Sequence, residues 1–196
     1  MALVGVIALQ GGVSEHGSMM SSLGHQVRFI RDHEALSGVE AVILPGGEST
    51  TLLFLMKRWG LFEPLKKMIA GGLPVLGTCA GAVLLSRKVT ERDHPVNQDS
   101  LMAADVEAQR NSFGRQVASF REYIDLHGMR KPFPGVFIRA PLLTPLNDLA
   151  VVMASVSEGA VFIRQGNVWL SSFHPELTED NRIHRMFLRE SGFAGA

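Results

Sequence analysis

Cys79, His174 and Glu176 are far apart along the sequence, yet their types and settings suit nucleophilic attack on a carbonyl carbon. Cys79 is the only cysteine of the chain and sits in Gly77-Thr78-Cys79-Ala80-Gly81. The apolar run Leu73-Pro74-Val75-Leu76 leads into it and Ala82-Val83-Leu84-Leu85 leads out. Such a frame predicts a short buried strand, a sharp turn and a helix start. It matches a nucleophile elbow, with sulfur where a serine hydrolase carries Gly-x-Ser-x-Gly. Small residues flank the sulfur because so tight a turn leaves no room for larger ones. A free thiol titrates near ~8.5, and a helix N-terminus, with its unpaired N–H groups, favours the thiolate.

His174-Pro175-Glu176 follows the predicted strand Val168 to Phe173. In an extended segment, residues two apart point to the same side, roughly 6–7 Å from each other. The carboxylate is then able to hold the imidazole in one tautomer, which supplies a base with its orienting group for a thiol nucleophile. Pro45-Gly46-Gly47-Glu48-Ser49-Thr50 follows another buried strand and opens a helix, with Ser49 or Thr50 as the expected N-cap. There the N–H of Gly47 and the N–H of Ala80 would form an oxyanion hole. Arg110 and Arg139 lie near the ends of predicted strands, and either could hold a substrate carboxylate with a two-pronged hydrogen bond.

Other chemistries find no support. No Gly-Lys-Ser/Thr ending makes Pro45 to Thr50 a phosphate loop, and no Gly-x-Gly-x-x-Gly follows the first strand. The remaining histidines, His16, His25, His33, His94, His127 and His184, show no metal-ligand spacing. No metal or cofactor is expected.

The elements that must position these groups follow an α/β rhythm. Leu3 to Leu9 is a continuous apolar run, as in a strand buried on both faces of a parallel sheet. A helix over Ser14 to Leu23 follows, then strands at Gln26 to Ile30 and Ala41 to Leu44, and helices at Thr50 to Arg58 and Leu61 to Ala70. Gln10, Gly46 to Ser49 and Cys79 all fall at carboxyl ends of strands, where such sheets bind ligands. After Ser86 the rhythm breaks. Arg87 to Leu101 is polar and predicts a surface loop. Strands are then expected at Val106 to Arg110, Gln116 to Tyr123, Val136 to Ala140, Leu149 to Ala154 and Ala160 to Arg164. Gln165-Gly166-Asn167 predicts a hairpin into Val168 to Phe173, and Glu179 to Glu190 a closing helix with Ile183, Met186 and Phe187 on one face. The second half is therefore antiparallel-rich. With no repeat or linker in view, residues 1–196 are expected to form one domain.

Composition sets the outer bounds. The 196 residues are 46% hydrophobic and 19% charged, with a formal net charge of zero, which fits a globular protein and argues against nucleic acid or an anionic membrane as the main partner. The apolar N-terminus lacks a basic leader, and no apolar run approaches the ~20 residues needed to span a bilayer. A single cysteine fits a reducing compartment, so the expected location is the cytoplasm.

Several segments together carry a resemblance. Leu9-Gln10-Gly11, Pro45 to Thr50, Gly77 to Gly81, Gln109-Arg110-Asn111-Ser112-Phe113-Gly114-Arg115-Gln116, Phe137-Ile138-Arg139-Ala140-Pro141 and His174-Pro175-Glu176-Leu177 occur in that order. From about Leu3 to Phe187 the chain resembles the glutaminase subunits of pyridoxal 5′-phosphate synthase, a family of class I glutamine amidotransferases. The elbow and His-Pro-Glu indicate only the wider class, whereas the Arg-Asn-Ser-Phe-Gly-Arg-Gln and Phe-Ile-Arg-Ala-Pro segments select this subunit. The resemblance implies a flavodoxin-like α/β fold and a triad of Cys79, His174 and Glu176. It implies glutamine contacts from Gly47, Glu48, Ser49, Arg110, Ile138 and Arg139, and a role for Gln10, near the partner interface, in making the oxyanion loop competent. It also implies hydrolysis of L-glutamine through a cysteine thioester, with ammonia passed to a synthase subunit in a ring of twelve copies of each. Two other readings stand beside it: an intracellular cysteine hydrolase or deglycase on a related fold, and a silent module that only regulates a synthase. Deglycase-type enzymes commonly carry histidine directly after the nucleophile, where this chain has Ala80.

Overall fold

The structure, a computed structural model, describes residues 1–91, 94–112 and 119–193. The Phe113-Gly114-Arg115-Gln116 part of the sequence motif lies outside them, as do Asp93 of the expected loop and the start of the strand expected from Gln116.

The first half alternates strands and helices: β1 (Leu3–Ile7), α1 (Val13–Ser22), β2 (Gln26–Ile30), β3 (Ala41–Leu44), α2 (Ser49–Arg58), α3 (Phe62–Ala70), β4 (Val75–Thr78) and α4 (Ala80–Leu85). β5 (Ser86–Glu91), β6 (His94–Pro95), β7 (Ala104–Arg110), β8 (Ser119–Ile124), β9 (Phe133–Ile138) and β10 (Leu142–Pro145) follow. The chain closes with β11 (Val151–Val156), β12 (Gly159–Gln165), β13 (Val168–Ser171) and α5 (Arg182–Glu190).

One large sheet runs in the order β2-β1-β3-β4-β13-β12-β10-β7-β5-β6, with β11 added to β12. Its first five strands are parallel, and from β12 the neighbours turn antiparallel, except for the parallel pair β7 and β5. The order 2-1-3-4 followed by one late strand is that of flavodoxin-like sheets. The apolar runs explain why. Along β3, Val42 and Leu44 face one core and Ala41 and Ile43 the other, all fully buried. Only a strand covered by helices on both faces hides such a run. Each fully buried large aliphatic contributes roughly 1.5–3 kcal/mol. α2, α3 and α4 cover one face. α1, α5 and the separate β8–β9 hairpin cover the other, with Phe133, Phe137, Phe162, Phe173, Trp169 and Phe187 packed between.

The segment expected as a loop over Arg87 to Leu101 is the clearest departure. Its first residues form β5, paired in parallel with β7 from Ser86 against Ala104 to Glu91 against Arg110. Ser86, Val89 and Thr90 are buried while Arg87 and Lys88 face out, so the inward face is made largely of small polar side chains that carry no hydrophobic signal. β10 also had no counterpart, since only Leu143 of its four residues is buried. The closing helix starts at Arg182 rather than Glu179, because Asp180 turns back to accept from the Arg182 N–H and guanidinium. Ile183, Met186 and Phe187 are buried along it, as the pattern predicts. The Gly166-Asn167 hairpin joins β12 to β13, with Gln165 opposite Val168.

Candidate active site

The carboxyl ends of β1, β3, β4 and β13 meet at one cleft. Cys79 follows β4 with φ +50° and ψ −106°, a strained conformation for a non-glycine residue, and α4 begins at the next residue. The Cys79 N–H donates to Ser171 O at 2.7 Å, which ties the elbow to the end of β13. Small flanking residues are obligatory here. A Cβ at Gly81 would lie 1.9 Å from Leu44 O, so only glycine lets the helix start this close to β3.

β13 delivers His174 to the same place. His174 Nδ1 is 2.8 Å from Glu176 Oε1, so the ring donates there and leaves Nε2 for the sulfur. Gly46 adjoins both groups. A Cβ on it would stand 2.6 Å from His174 Cε1 and 3.3 Å from Cys79 Cβ, so thiol and imidazole flank this one backbone position. The pairing of His174 with Glu176 does not arise from the extended segment expected from sequence. Pro175–Leu177 is a 3-10 turn, in which proline supplies a preset φ and no orphan N–H, and the turn brings the carboxylate back to the ring. Cys79 Sγ also lies 3.7 Å from Ile138 O.

Charge is matched to this geometry. Burial pushes the His174 pKa down, but the hydrogen bond to Cys79 and the bond and charge of Glu176 outweigh it and hold the imidazole up, at about 10. Burial pushes the Glu176 carboxyl up, and His16 and His174 beside it more than offset that, leaving it below its ordinary value. A histidine raised in this way adds stability that is complete below its ordinary value of 6.5 and is lost as pH climbs to about 10. Wild-type protein should therefore lose more stability across that window than His174→Asn, measured by thermal unfolding at stepped pH. Parallel losses in both proteins would contradict the assignment.

The cleft holds about 310 Å³, at the small end of ligand pockets, which run roughly 300–1,000 Å³. Cys79, Ala80 and His174 line one part of it. Gly47, Glu48 and Ser49 line a second, and Arg110, Ile138 and Arg139 a third. Glu176 stands behind His174 and does not reach the cleft. Gln10 does not line it either, but its Oε1 accepts from the Glu48 N–H at 3.0 Å and so grips the loop that carries Gly47.

One expectation about that loop is corrected. Neither Ser49 nor Thr50 caps α2. Glu48 is the N-cap, extended at φ −102° and ψ +118°, and its longer side chain accepts from the Thr51 N–H at 2.9 Å and from the Thr50 hydroxyl. Ser49 is instead the first helical residue, buried, and donates to Gln98 Oε1 at 3.2 Å. Arg110 donates to Glu48 Oε1 at 3.2 Å and to the same Gln98 oxygen at 3.1 Å. Burial pushes the Glu48 carboxyl up, but Thr50, Thr51 and the Arg110 guanidinium outweigh it and hold it low. Arg139, at φ +44°, forms no ion pair among the described residues. Sequence reasoning missed Gln98, which joins Ser49 to Arg110 from within the polar stretch expected as a loop. It also missed Gly11, Val83, Asn111 and Pro141 in the lining. Gly11, Asn111 and Pro141 stand beside Gln10, Arg110 and Ala140 in the sequence motifs, the one available signal.

Known proteins resemble this chain along its whole length. The model of the SNO glutamine amidotransferase family matches residues 6–192. Pyridoxal 5′-phosphate synthase subunit PdxT of Deinococcus radiodurans is 46% identical over 193 residues, covering 98% of this chain and 97% of that protein. The subunit of the same name from Fervidobacterium nodosum is 43% identical over 187 residues, covering 95% and 96%. A crystal structure of a glutamine amidotransferase superposes with a TM-score of 0.89 at 43% identity, covering 96% of this chain and 98% of that one. PurLQS from Thermotoga maritima, at 15% identity and a TM-score of 0.66, shares the fold alone. With a family match across nearly all of its residues, and relatives above 40% identity that align end to end, this chain belongs to the SNO glutamine amidotransferase family.

Proposed function

We propose that this chain is the glutaminase subunit of a pyridoxal 5′-phosphate synthase, hydrolysing L-glutamine to L-glutamate and ammonia for a synthase subunit that builds the vitamin B6 cofactor. The observation that carries the reading is the His174–Glu176 pair at 2.8 Å, set beside Cys79 in a cleft lined by two arginines. The family and the names of its relatives supply the substrate class.

In this reading the Cys79 sulfur attacks the side-chain amide carbon of glutamine. A C–S bond forms and the carbonyl oxygen takes the electron pair, held by the N–H groups of Ala80 and Gly47. Ala80 is the first residue of α4, so its N–H has no partner within the helix. His174, oriented by Glu176, gives its proton to the amide nitrogen as the C–N bond breaks, and ammonia leaves. Water then attacks the glutamyl thioester while His174 takes a proton from it, and glutamate departs as the C–S bond opens. Arg139, without an acidic partner among the described residues, suits the substrate α-carboxylate, while Arg110 holds Glu48 directly and Ser49 through Gln98 on the facing wall. Ammonia is mostly protonated in neutral water, so its use calls for direct transfer to a partner's site. Gln10, gripping the Gly47–Glu48 loop, is the residue through which partner binding would set the oxyanion hole. The reading further includes a single domain over residues 1–196, a cytoplasmic location and an assembly of twelve copies of each subunit. Among the described residues no helix is long and apolar enough to cross a membrane.

The test is glutamate formation with and without a purified synthase. Slow turnover alone and a raised kcat with the synthase are expected. Equal turnover in both would contradict partner-linked activation, and no turnover in either would overturn the function.

A further inference from the structure

Behind the triad lies a second set of buried groups. His16, in the first turn of α1, and His184, on α5, are both fully buried. They are separated by 168 positions in sequence, yet His16 Nδ1 is 2.9 Å from His184 Nε2. His16 Nε2 faces Glu176 Oε2 at 3.4 Å and Thr78 Oγ1, next to Cys79, at 3.3 Å. Among the described residues Glu176 Oε2 accepts no hydrogen bond, the 3.4 Å approach of His16 Nε2 included, and His184 Nδ1 has no hydrogen-bond partner. Those two facts fix the direction of the chain. An N–H at His184 Nδ1 would be buried without an acceptor, a costly arrangement, whereas a bare nitrogen there loses far less. The proton of His184 therefore sits on Nε2 and points at His16 Nδ1, which must accept. His16 then carries its own proton on Nε2, which donates to Thr78 Oγ1 with the second oxygen of Glu176 close beside it.

We propose that His16 is a positioning residue for the reaction under Proposed function, on which this inference rests. With His184 setting its tautomer, its Nε2, 3.4 Å from the outer oxygen of Glu176, turns the positive end of its N–H bond towards that oxygen and favours the ionised carboxylate, so that the inner oxygen stays on His174 Nδ1. His184 Nε2–H thus donates to His16, and His16 Nε2–H and His174 Nδ1–H form a relay that converges on the two oxygens of Glu176. A neutral donor suits this place, because a second cation beside Glu176 would compete with the His174 imidazolium for the same carboxylate. Burial pushes both histidines towards the neutral form: His16 is lowered, and His184, with His16 beside it, is lowered to about 3. The other titratable groups facing this cluster are Glu15 on α1, His174 after β13 and Cys79 after β4. Gly12, the residue before α1, packs its backbone directly on the Glu176 side chain.

The test pairs kinetics with a reading that needs no turnover. With the synthase present, His16→Leu should lose ~10–100-fold in kcat with KM little changed, the size typical of an outer partner that orients a reacting group. Its acid limb should move up by about one pH unit, since a carboxylate deprived of that N–H dipole is protonated more readily. His16→Gln, which keeps an N–H near the Nε2 position, should restore most of both. A folded His16→Leu protein with a wild-type kcat and acid limb would overturn the proposal, as would equal losses in the Leu and Gln variants with no shift of the limb. Nitrogen-15 NMR of the imidazoles in the wild-type chain decides the matter even if His16→Leu does not fold. His16 and His184 should each be protonated at Nε2 and bare at Nδ1 near neutral pH, and an Nδ1–H on either ring would overturn the relay. If wild-type protein shows no glutaminase activity, the functional reading fails separately, while the tautomers still report on the relay.

Discussion

Cys79→Ala protein should release no measurable ammonia from glutamine while still binding its synthase with unchanged affinity. The side chain lost is the only thiol of the chain, and nothing else in the cleft forms a thioester. Removing a member of such a triad typically costs ~10³–10⁶ in rate. The fold should tolerate the change. Cys79 is buried in a position already flanked by Thr78 and Ala80, and its backbone bond to Ser171 O does not involve the sulfur. Stability should change little, apart from the strain that any non-glycine residue keeps at φ +50°. Ammonia release measured by a coupled assay, with complex formation followed by sedimentation, separates the two effects. Normal turnover by the variant would refute the nucleophile assignment. Failure to bind the synthase would mean that the elbow had been disturbed and not merely its sulfur.

Glu176→Gln should be the next most damaging change, lowering kcat by about 10²–10⁴-fold with a much smaller effect on KM. The replacement is close to isosteric, so the cause would be electronic. A carboxylate accepts from His174 Nδ1 and fixes the proton there, leaving Nε2 free to face the sulfur. An amide is able to present its NH₂ instead and reverse the tautomer, the effect that makes asparagine a poor substitute in serine-protease triads. It also removes the charge that, with the Cys79 hydrogen bond, holds the His174 pKa up. Steady-state kinetics with saturating synthase measure the loss. A variant within a few-fold of wild type would show that Glu176 does no more than fill space.

Much of this was legible because both halves of the pattern agree. β1, β3 and β4 are short apolar runs ended by glycine or a polar turn, and strands buried on both faces leave that signature. Each run ends next to one of the quoted motifs, so the cleft was predictable from where the strands stop. β5 was not legible, since its inward residues include Ser86 and Thr90 and its outward ones Arg87 and Lys88. What makes it a strand is the partner β7, a non-local fact. The same holds within the site. That His174 and Glu176 touch was readable from their spacing, but the 3-10 turn that joins them was not, because proline is equally at home before an extended segment and at the start of a helical turn. The Glu48 cap was missed because serine and threonine are the commoner caps, and only the loop's extended entry lets a glutamate reach Thr51. The contact of His16 with His184 has no local signature at all. It exists only because α1 and α5 cover the same face of the sheet.

The most direct measurement is the mass of the chain after exposure to an electrophilic analogue of glutamine that alkylates a thiol in its binding site, with and without glutamine. A single adduct on the peptide carrying Cys79, suppressed by glutamine and absent from His174-intact Cys79→Ala protein, is the predicted result. Labelling that glutamine leaves untouched, or no adduct at a thiol this close to His174 and Glu176, would contradict the proposal that a sulfur in this cleft opens the amide of glutamine.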